Sequence, residues 1–414
     1  MSSSTDRVFW RFRAYGFLKN LRFFDPFLVL LLREAGLSFL EIGSLYAIRE
    51  ISTNILEIPT GIVADAFGRR RAMIGSFAAY LLSFALFGLL SVYATYAVAM
   101  ILFAVGDALR SGTHKAMILE HLRLRGEESR RVAYYGRTRA ASQLGSALAA
   151  AAGAGVVFWT GSYRTAFLAS MAPYVLGLAL MTTYPSALDG HVERVVPPWS
   201  AVLARLRDTV RASVATLRNG VLLRGLFSGG VFDAVFRSSK DYLQPILGAQ
   251  ALALPVLVGL RSEQRVALVV GASYCVIYLM TSLAASRAGA VESRAPSLSS
   301  AINGIYLLGS ALLAVGGLSA WCGAPVGAIA AFLLLYAAQN LRRPMIVGYL
   351  SERIDHRMMA TGLSVETQLR TALTAVLAPL VGLAADRLGV GAALVVLGGA
   401  AVLAVPFVRV REAA

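Results

Sequence analysis

Charged side chains recur inside apolar stretches of this chain, at intervals that place them on one side of a helix. The first such stretch carries Lys19, Arg22 and Asp25, each three residues from the next. A later stretch carries Asp107 and Arg110, again three residues apart. Side chains three or four positions apart are neighbours on a helix surface. Because an isolated charge in an apolar environment is very costly, we expect these groups to face water, a bound solute or one another.

The second half of the chain has a similar arrangement. Asp233, Arg237 and Lys240 follow at intervals of four and three residues, and a later apolar stretch contains Asn340 and Arg342. Nowhere does the sequence cluster the histidine, aspartate or serine side chains that a membrane-embedded enzyme would need. The chemistry that these groups offer is recognition of a charged solute and transfer of protons.

Lysine is rare and its positions are unusual. The chain has 36 arginines but only three lysines, Lys19, Lys115 and Lys240, and all three fall within apolar stretches. An ammonium group loses its proton on burial more readily than a guanidinium does. These lysines are therefore candidates to change charge during a functional cycle.

The composition indicates the solvent in which these charges are held. Apolar residues make up 57% of the 414 residues and charged residues only 15%, whereas soluble domains carry about 25% charged residues. Apolar blocks such as 72–92 and 381–405 reach the roughly 20 residues that a helix needs to cross a bilayer. They are too long for membrane strands and lack the alternation of such strands. We therefore predict an all-α, polytopic membrane protein.

Twelve membrane helices are predicted, with a polar stretch after the sixth. Their approximate bounds are 10–33, 38–63, 72–92, 95–117, 134–158, 163–184, 221–247, 264–285, 298–318, 324–349, 359–383 and 390–408. The polar stretch contains apolar residues at helical spacing between 199 and 219, which predicts an amphipathic helix on the membrane surface.

The loops divide into an arginine-rich side and an arginine-poor side. The arginine-poor side holds only Arg33, Arg164, Arg261, Arg265 and Arg387. Because positive loops stay in the cytoplasm, this bias predicts a multi-pass protein of the cytoplasmic (inner) membrane with both termini in the cytoplasm. The net charge of +16 is thus explained by topology and anionic lipid, and a nucleic-acid partner is not expected.

The two halves of the chain are related in spacing. Arg110 and Glu120 are ten residues apart, as are Arg342 and Glu352, and further matches follow at nearly the same offset. Such internal repeats are common in transporters. We predict an N-terminal six-helix bundle over 1–185, a cytoplasmic linker over 186–220 and a C-terminal six-helix bundle over 221–414.

One loop motif points to a family. Between the second and third predicted helices lie Gly61, Asp65, Gly68, Arg69 and Arg70. The segment resembles the G-x-L-x-D-x-x-G-R-[RK] motif of the major facilitator superfamily. Glycine at the third of these positions allows a tight turn, and the aspartate can accept hydrogen bonds from the N-terminus of a neighbouring helix.

The resemblance implies a fold and a function. It implies twelve transmembrane helices in two pseudo-symmetric six-helix bundles, and secondary transport by alternating access. The sequence 56–61 before the motif is similar to a bacterial subgroup of multidrug or uncharacterised permeases, which implies proton-coupled efflux of a small organic solute. Helix five departs from drug/proton antiporters, because Gly145 is followed by Ser146 rather than by proline.

The family lines its central cavity mainly with helices one, four, seven and ten, which are the helices that carry charges in this chain. The residues predicted to line a substrate cavity are Lys19, Arg22, Asp107, Arg110, Arg237, Lys240, Asn340 and Arg342. Their surplus of cations favours an anionic or zwitterionic substrate. Asp25 and Asp233 are the candidates for proton coupling, because desolvation favours the protonated form of a carboxyl. Glu57 and Glu366 are candidates for gate ion pairs.

Other interpretations stay open at this point. The same charges could form buried ion pairs that only set helix register, and uptake or facilitated diffusion of an organic anion is an alternative to efflux. A transporter-like receptor or assembly factor without flux is a further alternative. No G-x-x-x-x-G-K-[ST] loop occurs, so ATP is not the expected energy source. We predict no cofactor, no metal, no enzymatic activity and a monomer whose partners are a small solute, protons and lipid.

Overall fold

The computed structural model of the protein describes residues 7–190, 207, 220–253, 258–353 and 359–412. Across these ranges the regular structure is helical, and they contain no strand. The predicted amphipathic helix over 199–219 lies almost wholly outside the described residues.

Sixteen α-helices occur in the described ranges. They are α1 (Arg7–Leu18), α2 (Leu28–Glu34), α3 (Phe39–Phe67), α4 (Arg69–Leu89), α5 (Tyr93–Arg110), α6 (Thr113–Leu124), α7 (Arg131–Thr160), α8 (Tyr163–Thr182), α9 (Gly220–Ser239), α10 (Leu243–Ala253), α11 (Ser262–Glu292), α12 (Leu298–Trp321), α13 (Pro325–Ser351), α14 (Met359–Leu388), α15 (Val390–Leu403) and α16 (Val405–Val408).

These helices account for the twelve predicted spans when α1 is taken with α2, α5 with α6, α9 with α10, and α15 with α16. Within the described residues, seven helical segments are long and apolar enough to cross a membrane by themselves. The spans that fail this test are either interrupted or, like α3 and α13, carry charged and other polar residues. The prediction of an all-α membrane protein is confirmed.

The first predicted span is not continuous, contrary to the prediction of one helix over 10–33. Helix α1 ends at Leu18, and residues 19–24 form turns before a 3₁₀ turn at 25–27 leads into α2. Pro26 contributes to the break, because proline has no N–H to donate along a helix. The sequence alone suggested an unbroken helix because the charges kept helical spacing.

Two more of the predicted spans break at their charged residues. The fourth span divides at Ser111 and Gly112, directly after Arg110, and Gly112 has a φ of 75°. The seventh span divides at a 3₁₀ turn formed by Lys240–Tyr242. Three of the four spans predicted to line a cavity are therefore interrupted, whereas α13, the tenth span, runs unbroken from Pro325 to Ser351.

Contacts group the chain into two compact units. Unit 1 comprises Met1–Leu31, Ser52–Ala204 and Gly259–Cys275, and unit 2 comprises Leu32–Ile51, Arg205–Val258 and Val276–Ala414. The units thus follow the predicted halves except for two segments, the start of α3 and the start of α11, each of which packs with the other half of the chain. The predicted boundaries at 185 and 220 stay a prediction.

Close helix packing in each unit rests on glycine and aromatic side chains. In unit 1, a Cβ at Gly145 would come within 2.5 Å of the Phe17 carbonyl oxygen, so α7 packs directly on the backbone of α1. Phe24 stacks on Phe167, with ring centroids 4.2 Å apart, beside the interruption of the first span. In unit 2, a Cβ at Gly317 would be 2.7 Å from the Gly391 carbonyl oxygen, which brings α12 equally close to α15.

Candidate functional site

The interruption of the first span is stabilised by side chains of α8 and by a backbone carbonyl of α7. The Tyr174 hydroxyl donates to the Lys19 carbonyl oxygen at 2.8 Å, and the Phe23 amide donates to Ser170 Oγ at 2.9 Å. Asn20 Nδ2 donates to the carbonyl oxygens of Gly16 and Ser142, both at 3.1 Å. Backbone groups that the helix no longer pairs are thus satisfied within the protein, as is required at membrane depth.

Arg22 lies in this interruption and belongs to a charge cluster in unit 1. Its Nε donates to the Tyr174 hydroxyl at 2.8 Å, and its Nη2 lies 3.9 Å from Asp107 Oδ1. The same carboxylate oxygen accepts from the Tyr80 hydroxyl at 2.5 Å and from Arg110 Nη2 at 2.9 Å. The side chains of Arg22, Asp107 and Arg110 are 21–27% exposed. They are therefore neither sealed in the core nor free at the surface.

Lys19 completes this first charge cluster, which we define as Lys19, Arg22, Asp107 and Arg110. The Lys19 ammonium lies 5.6 Å from the centre of the Tyr15 ring. In the part of the chain that the structure describes, Lys19 has no carboxylate within 4.0 Å. Asp25 acts electrostatically on Arg22, so three cations face two carboxylates here. The structure brings these residues to one region of unit 1, and their role in lining a substrate cavity stays a prediction.

Unit 2 contains a second charge cluster, centred on Asp233 in α9. Three guanidinium groups approach Asp233 Oδ2, those of Arg370 at 3.3 Å, Arg237 at 3.8 Å and Arg343 at 3.9 Å. Gln339 Nε2 donates to Asp233 Oδ1. Asp233 is 5% exposed, so this proton-coupling candidate is surrounded by positive charge.

Two further carboxylates extend the second charge cluster. Glu366, a predicted gate residue, is 1% exposed and accepts two hydrogen bonds from Arg343, at 2.5 Å and 3.1 Å. Glu50 of α3 is 4% exposed and lies 3.6 Å from Arg237. Glu50 also pairs with Arg49 at 2.9 Å. Four guanidinium groups therefore contact the three carboxylates of Glu50, Asp233 and Glu366. The other predicted gate residue, Glu57, is half-buried near the middle of α3.

Arg342 is buried and bonded within unit 2 in this structure, and its contact with substrate stays a prediction. The side chain is 2% exposed, and its Nη2 donates to the Ser228 carbonyl oxygen at 3.0 Å and to Ser228 Oγ at 2.6 Å. The guanidinium group lies 4.7 Å from the Phe232 ring centre and 5.4 Å from that of Tyr306. Asn340 likewise turns to its own helix, where its Nδ2 donates to the Tyr336 carbonyl oxygen at 2.9 Å.

Lys240 differs from Lys19 in having an acidic partner. Its ammonium pairs with Asp241 Oδ1, and Asp241 Oδ2 accepts from the Tyr46 hydroxyl at 3.0 Å. The side chain of Lys240 is 33% exposed. The third lysine, Lys115, is exposed in α6. The three lysines that the sequence grouped together therefore have three different surroundings.

The loop motif forms the turn between α3 and α4. Gly68 has a φ of 95°, a conformation that favours glycine. The carboxylate at the start of α4 belongs to Asp189, whose Oδ1 accepts from the Arg70 amide at 2.7 Å. Asp65, which we expected to accept from a helix N-terminus, is exposed and has no hydrogen bond or ion pair among the described residues.

The motif arginines contact other residues of unit 1. Arg69 Nη1 lies 3.8 Å from Glu120 Oε2, and Arg70 Nη1 donates to the Tyr184 carbonyl oxygen at 3.3 Å. Arg69 therefore pairs with an acidic residue of α6, whereas Arg70 bonds to a backbone oxygen.

Several residues of the clusters escaped the sequence prediction. Glu50 and Arg370 are charges within apolar helices and follow the rule that identified the others. Tyr80, Tyr174 and Gln339 are uncharged, so a search for charges within apolar helices does not select them. Within the described ranges, no group of three or more His, Cys, Asp or Glu side chains is placed to hold a metal ion.

Solved structures of transporters share this fold. The nucleoside transporter NupG superposes with a TM-score of 0.75 at 10% sequence identity, covering 97% of this chain and 98% of that one. A D-xylose–proton symporter gives 0.68 at 16% identity over 98% and 97% of the two chains. A peptide transporter POT in complex with sulfate gives 0.65 at 16% identity over 97% and 94%.

Sequence comparison points the same way. The uncharacterised MFS-type transporter YxaM of Bacillus subtilis (strain 168) is 34% identical over 106 residues, a match that spans 26% of each chain. The sequence model of the Major Facilitator Superfamily matches residues 20–368, which include the loop motif and both charge clusters apart from Lys19 and Arg370. This chain therefore belongs to the Major Facilitator Superfamily of membrane transporters.

Proposed function

We propose that this protein is a proton-coupled secondary transporter that moves a small anionic or zwitterionic organic solute across the cytoplasmic membrane by alternating access. The observation that carries the proposal is the first charge cluster. Three cations lie there with only two carboxylates, and Lys19 pairs with neither within the described residues. A carboxylate or phosphate group on a solute would complete this charge balance.

The interruption of the first span supports a binding role for this cluster. Broken helices near the membrane midplane are a recurring feature of transporter sites, because they present backbone groups and side chains to a solute. Lys19 and Arg22 lie in the interruption of the first span, and Arg22 Nη2 is 3.9 Å from Asp107 Oδ1 of α5, which supports the proposal. The peptide transporter with a similar fold binds sulfate, which makes small anions suitable first probes.

Proton coupling is assigned to carboxylates near these cations. Asp25 acts on Arg22, so protonation of Asp25 would leave the charge of Arg22 available to an anion. Asp233 holds a comparable place among three arginines in unit 2. Glu50 is a third candidate, which the sequence prediction did not include. In each case a proton would weaken an ion pair and free a guanidinium group.

The direction of transport has two candidates. Export is implied by the resemblance to multidrug permeases. Uptake is favoured by the first charge cluster, because a proton on Asp25 and an anion on Arg22 would bind together and so travel together. Both candidates place the protein in the inner membrane with cytoplasmic termini, acting as a monomer.

A two-step experiment tests the proposal. Thermal-shift screening of the purified protein against anionic, cationic and neutral compounds, with sulfate among the anions, identifies ligands by their stabilisation of the folded state. The best ligand is then used in proteoliposome flux measurements with and without an imposed pH gradient. We expect anions to stabilise the protein and the gradient to drive accumulation. A preference for cations, or flux that ignores the gradient, would overturn the substrate class or the coupling respectively.

A further inference from the structure

The N-terminus of α3 receives a carboxylate from a distant part of the chain. Asp386, near the end of α14, accepts the amide of Phe39 with Oδ1 and the amide of Leu40 with Oδ2, both at 2.8 Å. The first amides of a helix have no partner within the helix, and the positive end of the helix dipole favours a carboxylate there. Asp386 thus joins the second predicted span to the eleventh inside unit 2.

The same helix end also has a cap of its own. The Ser38 amide donates to Glu41 Oε2 at 2.7 Å, and the Glu41 amide donates to Ser38 Oγ at 3.1 Å. This reciprocal pair is a capping box. Because it holds the first turn of α3 without help, Asp386 can leave without unwinding the helix. Asp386 is itself exposed, so water can replace its carboxylate at the two amides.

Glycine brings the two backbones together beside Asp386. A Cβ at Gly43 would overlap the Ala378 carbonyl oxygen, and a Cβ at Gly382 would overlap the Phe39 carbonyl oxygen. Helices that meet through backbone atoms leave little room for a side chain at either position. The contact between α3 and α14 is therefore a close but small one, with Asp386 as its charged member.

Asp386 belongs to a second copy of the loop-motif spacing. Gly382, Asp386 and Gly389 repeat the intervals of Gly61, Asp65 and Gly68. The last glycine of each copy ends one helix and begins the next, with φ of 85° at Gly389 and 95° at Gly68. The first copy lies on the arginine-rich side and the second on the arginine-poor side.

The two ends of α3 differ in what covers them. At its start, Gly43 lies against the backbone of α14, Tyr46 donates to Asp241, and Glu50 pairs with Arg237. Further along the helix, a Cβ added at Gly61 would meet nothing within 4 Å, and both Gly61 and Asp65 are exposed. Of the two aspartates in the repeated spacing, only Asp386 is engaged among the described residues.

We propose that Asp386 is a positioning residue of the transport cycle: its bonds to the Phe39 and Leu40 amides form a latch that holds the protein closed on the arginine-poor side. The latch rests on the proposed alternating-access function and adds to it the contact that must break for this side to open. The bonds are exposed and replaceable by water, so the latch is weak enough to be released in each cycle.

Pulsed electron–electron resonance distance measurements test the latch without substrate. Spin labels are attached at Glu34→Cys and Val326→Cys, two exposed positions near the arginine-poor ends of α2 and α13, in a Cys275→Ser, Cys322→Ser background. In Asp386→Ala we expect a longer-distance population that is about three- to tenfold larger than in the parent, the range expected for loss of one helix cap. Arg387→Gln, which changes an exposed neighbour, should match the parent, and Asp386→Glu should restore the short distance in part.

A second variant separates the latch from general damage. Gly43→Ala keeps Asp386 but places a methyl group against the Ala378 carbonyl oxygen, so it should produce the same longer population. An unchanged distance distribution in Asp386→Ala would overturn the latch whatever the result for Gly43→Ala, as would an equal shift in Arg387→Gln. Because these distances are measured without solute or gradient, a failed latch is distinguishable from a failure of proton coupling or substrate class in the flux experiment.

Discussion

Arg110 and Arg342 hold matching positions in the two halves of the chain, but their guanidinium groups have opposite surroundings. Arg110 is partly exposed and donates to Asp107 at 2.9 Å. Arg342 is 2% exposed and donates to both oxygens of Ser228. The repeat has therefore preserved the residue and changed its environment. One half retains an arginine that can meet a solute, and the other uses it to join α13 to α9.

This difference predicts separate effects of removing each guanidinium group. Arg342→Met should lower thermal stability, because it leaves Ser228 oxygens buried without a donor, at a cost of about 1–3 kcal/mol. Its effect on the apparent KM of the folded protein should be small. Arg110→Met should raise KM for an anionic solute with less loss of stability. Thermal unfolding and proteoliposome flux, measured on both variants, check the pair; an equal rise in KM would contradict the packing role of Arg342.

Lys19 and Lys240 allow a matched test of whether an ammonium group without a carboxylate partner binds the solute. Lys19 has no carboxylate within ion-pairing distance among the described residues, whereas Lys240 is paired with Asp241. If Lys19 binds the solute anion, Lys19→Gln should raise KM by roughly 10-fold or more, since hydrogen bonds to charged groups contribute about 1.5–3 kcal/mol. Lys240→Gln should change KM less, and Lys115→Gln, at an exposed position, should leave it unchanged. Equal effects of all three would argue against a solute contact at Lys19.

The loop motif suggests that Asp65 accepts a hydrogen bond from a helix N-terminus, but Asp189 has this role in the structure. Asp189 accepts from the Arg70 amide at the start of α4, while Asp65 is exposed. Asp189→Ala should therefore destabilise the protein by about 1 kcal/mol, the usual effect of losing an N-cap, and Asp65→Ala should not. Thermal unfolding midpoints of the two variants give the comparison. A larger loss of stability for Asp65→Ala would show that the motif aspartate caps a helix after all.

The sequence was sufficient for the membrane class, the number of spans and the family, because long apolar runs and the motif at Gly61–Arg70 are local signals. It also led us to expect that Arg22, Asp107 and Arg110 face one another or a solute, since charges in apolar helices have few ways to be satisfied. It did not foresee the breaks after Leu18 and Ser239. Charged residues on the two sides of a break can keep the same three- or four-residue spacing that they would have in an unbroken helix.

The partners of the charges were harder to predict than the charges. Asp189 caps α4 from 119 positions away, and Asp386 caps α3 from 347 positions away. No local pattern records which helix end will meet which carboxylate, because that depends on how the helices pack. Arg342 is a further example, because its serine partner, Ser228, was not indicated by the sequence.

The Arg343–Glu366 pair supplies the last prediction, which concerns the second charge cluster. Glu366 is 1% exposed and both its oxygens accept from Arg343. Removing one member of a buried ion pair costs about 3–5 kcal/mol, because the other charge is left without compensation. Glu366→Gln and Arg343→Met should each lower the unfolding midpoint.

The double variant Arg343→Met with Glu366→Leu distinguishes structure from gating. It should recover much of the lost stability, since apolar replacement of a whole buried pair is often neutral. If the pair is a gate, the recovered protein should still transport poorly, because the charge that a proton could release is gone. Recovery of both stability and coupled flux would instead assign Arg343 and Glu366 to helix register alone, and would leave Asp25, Glu50 and Asp233 as the carboxylates to which coupling is assigned.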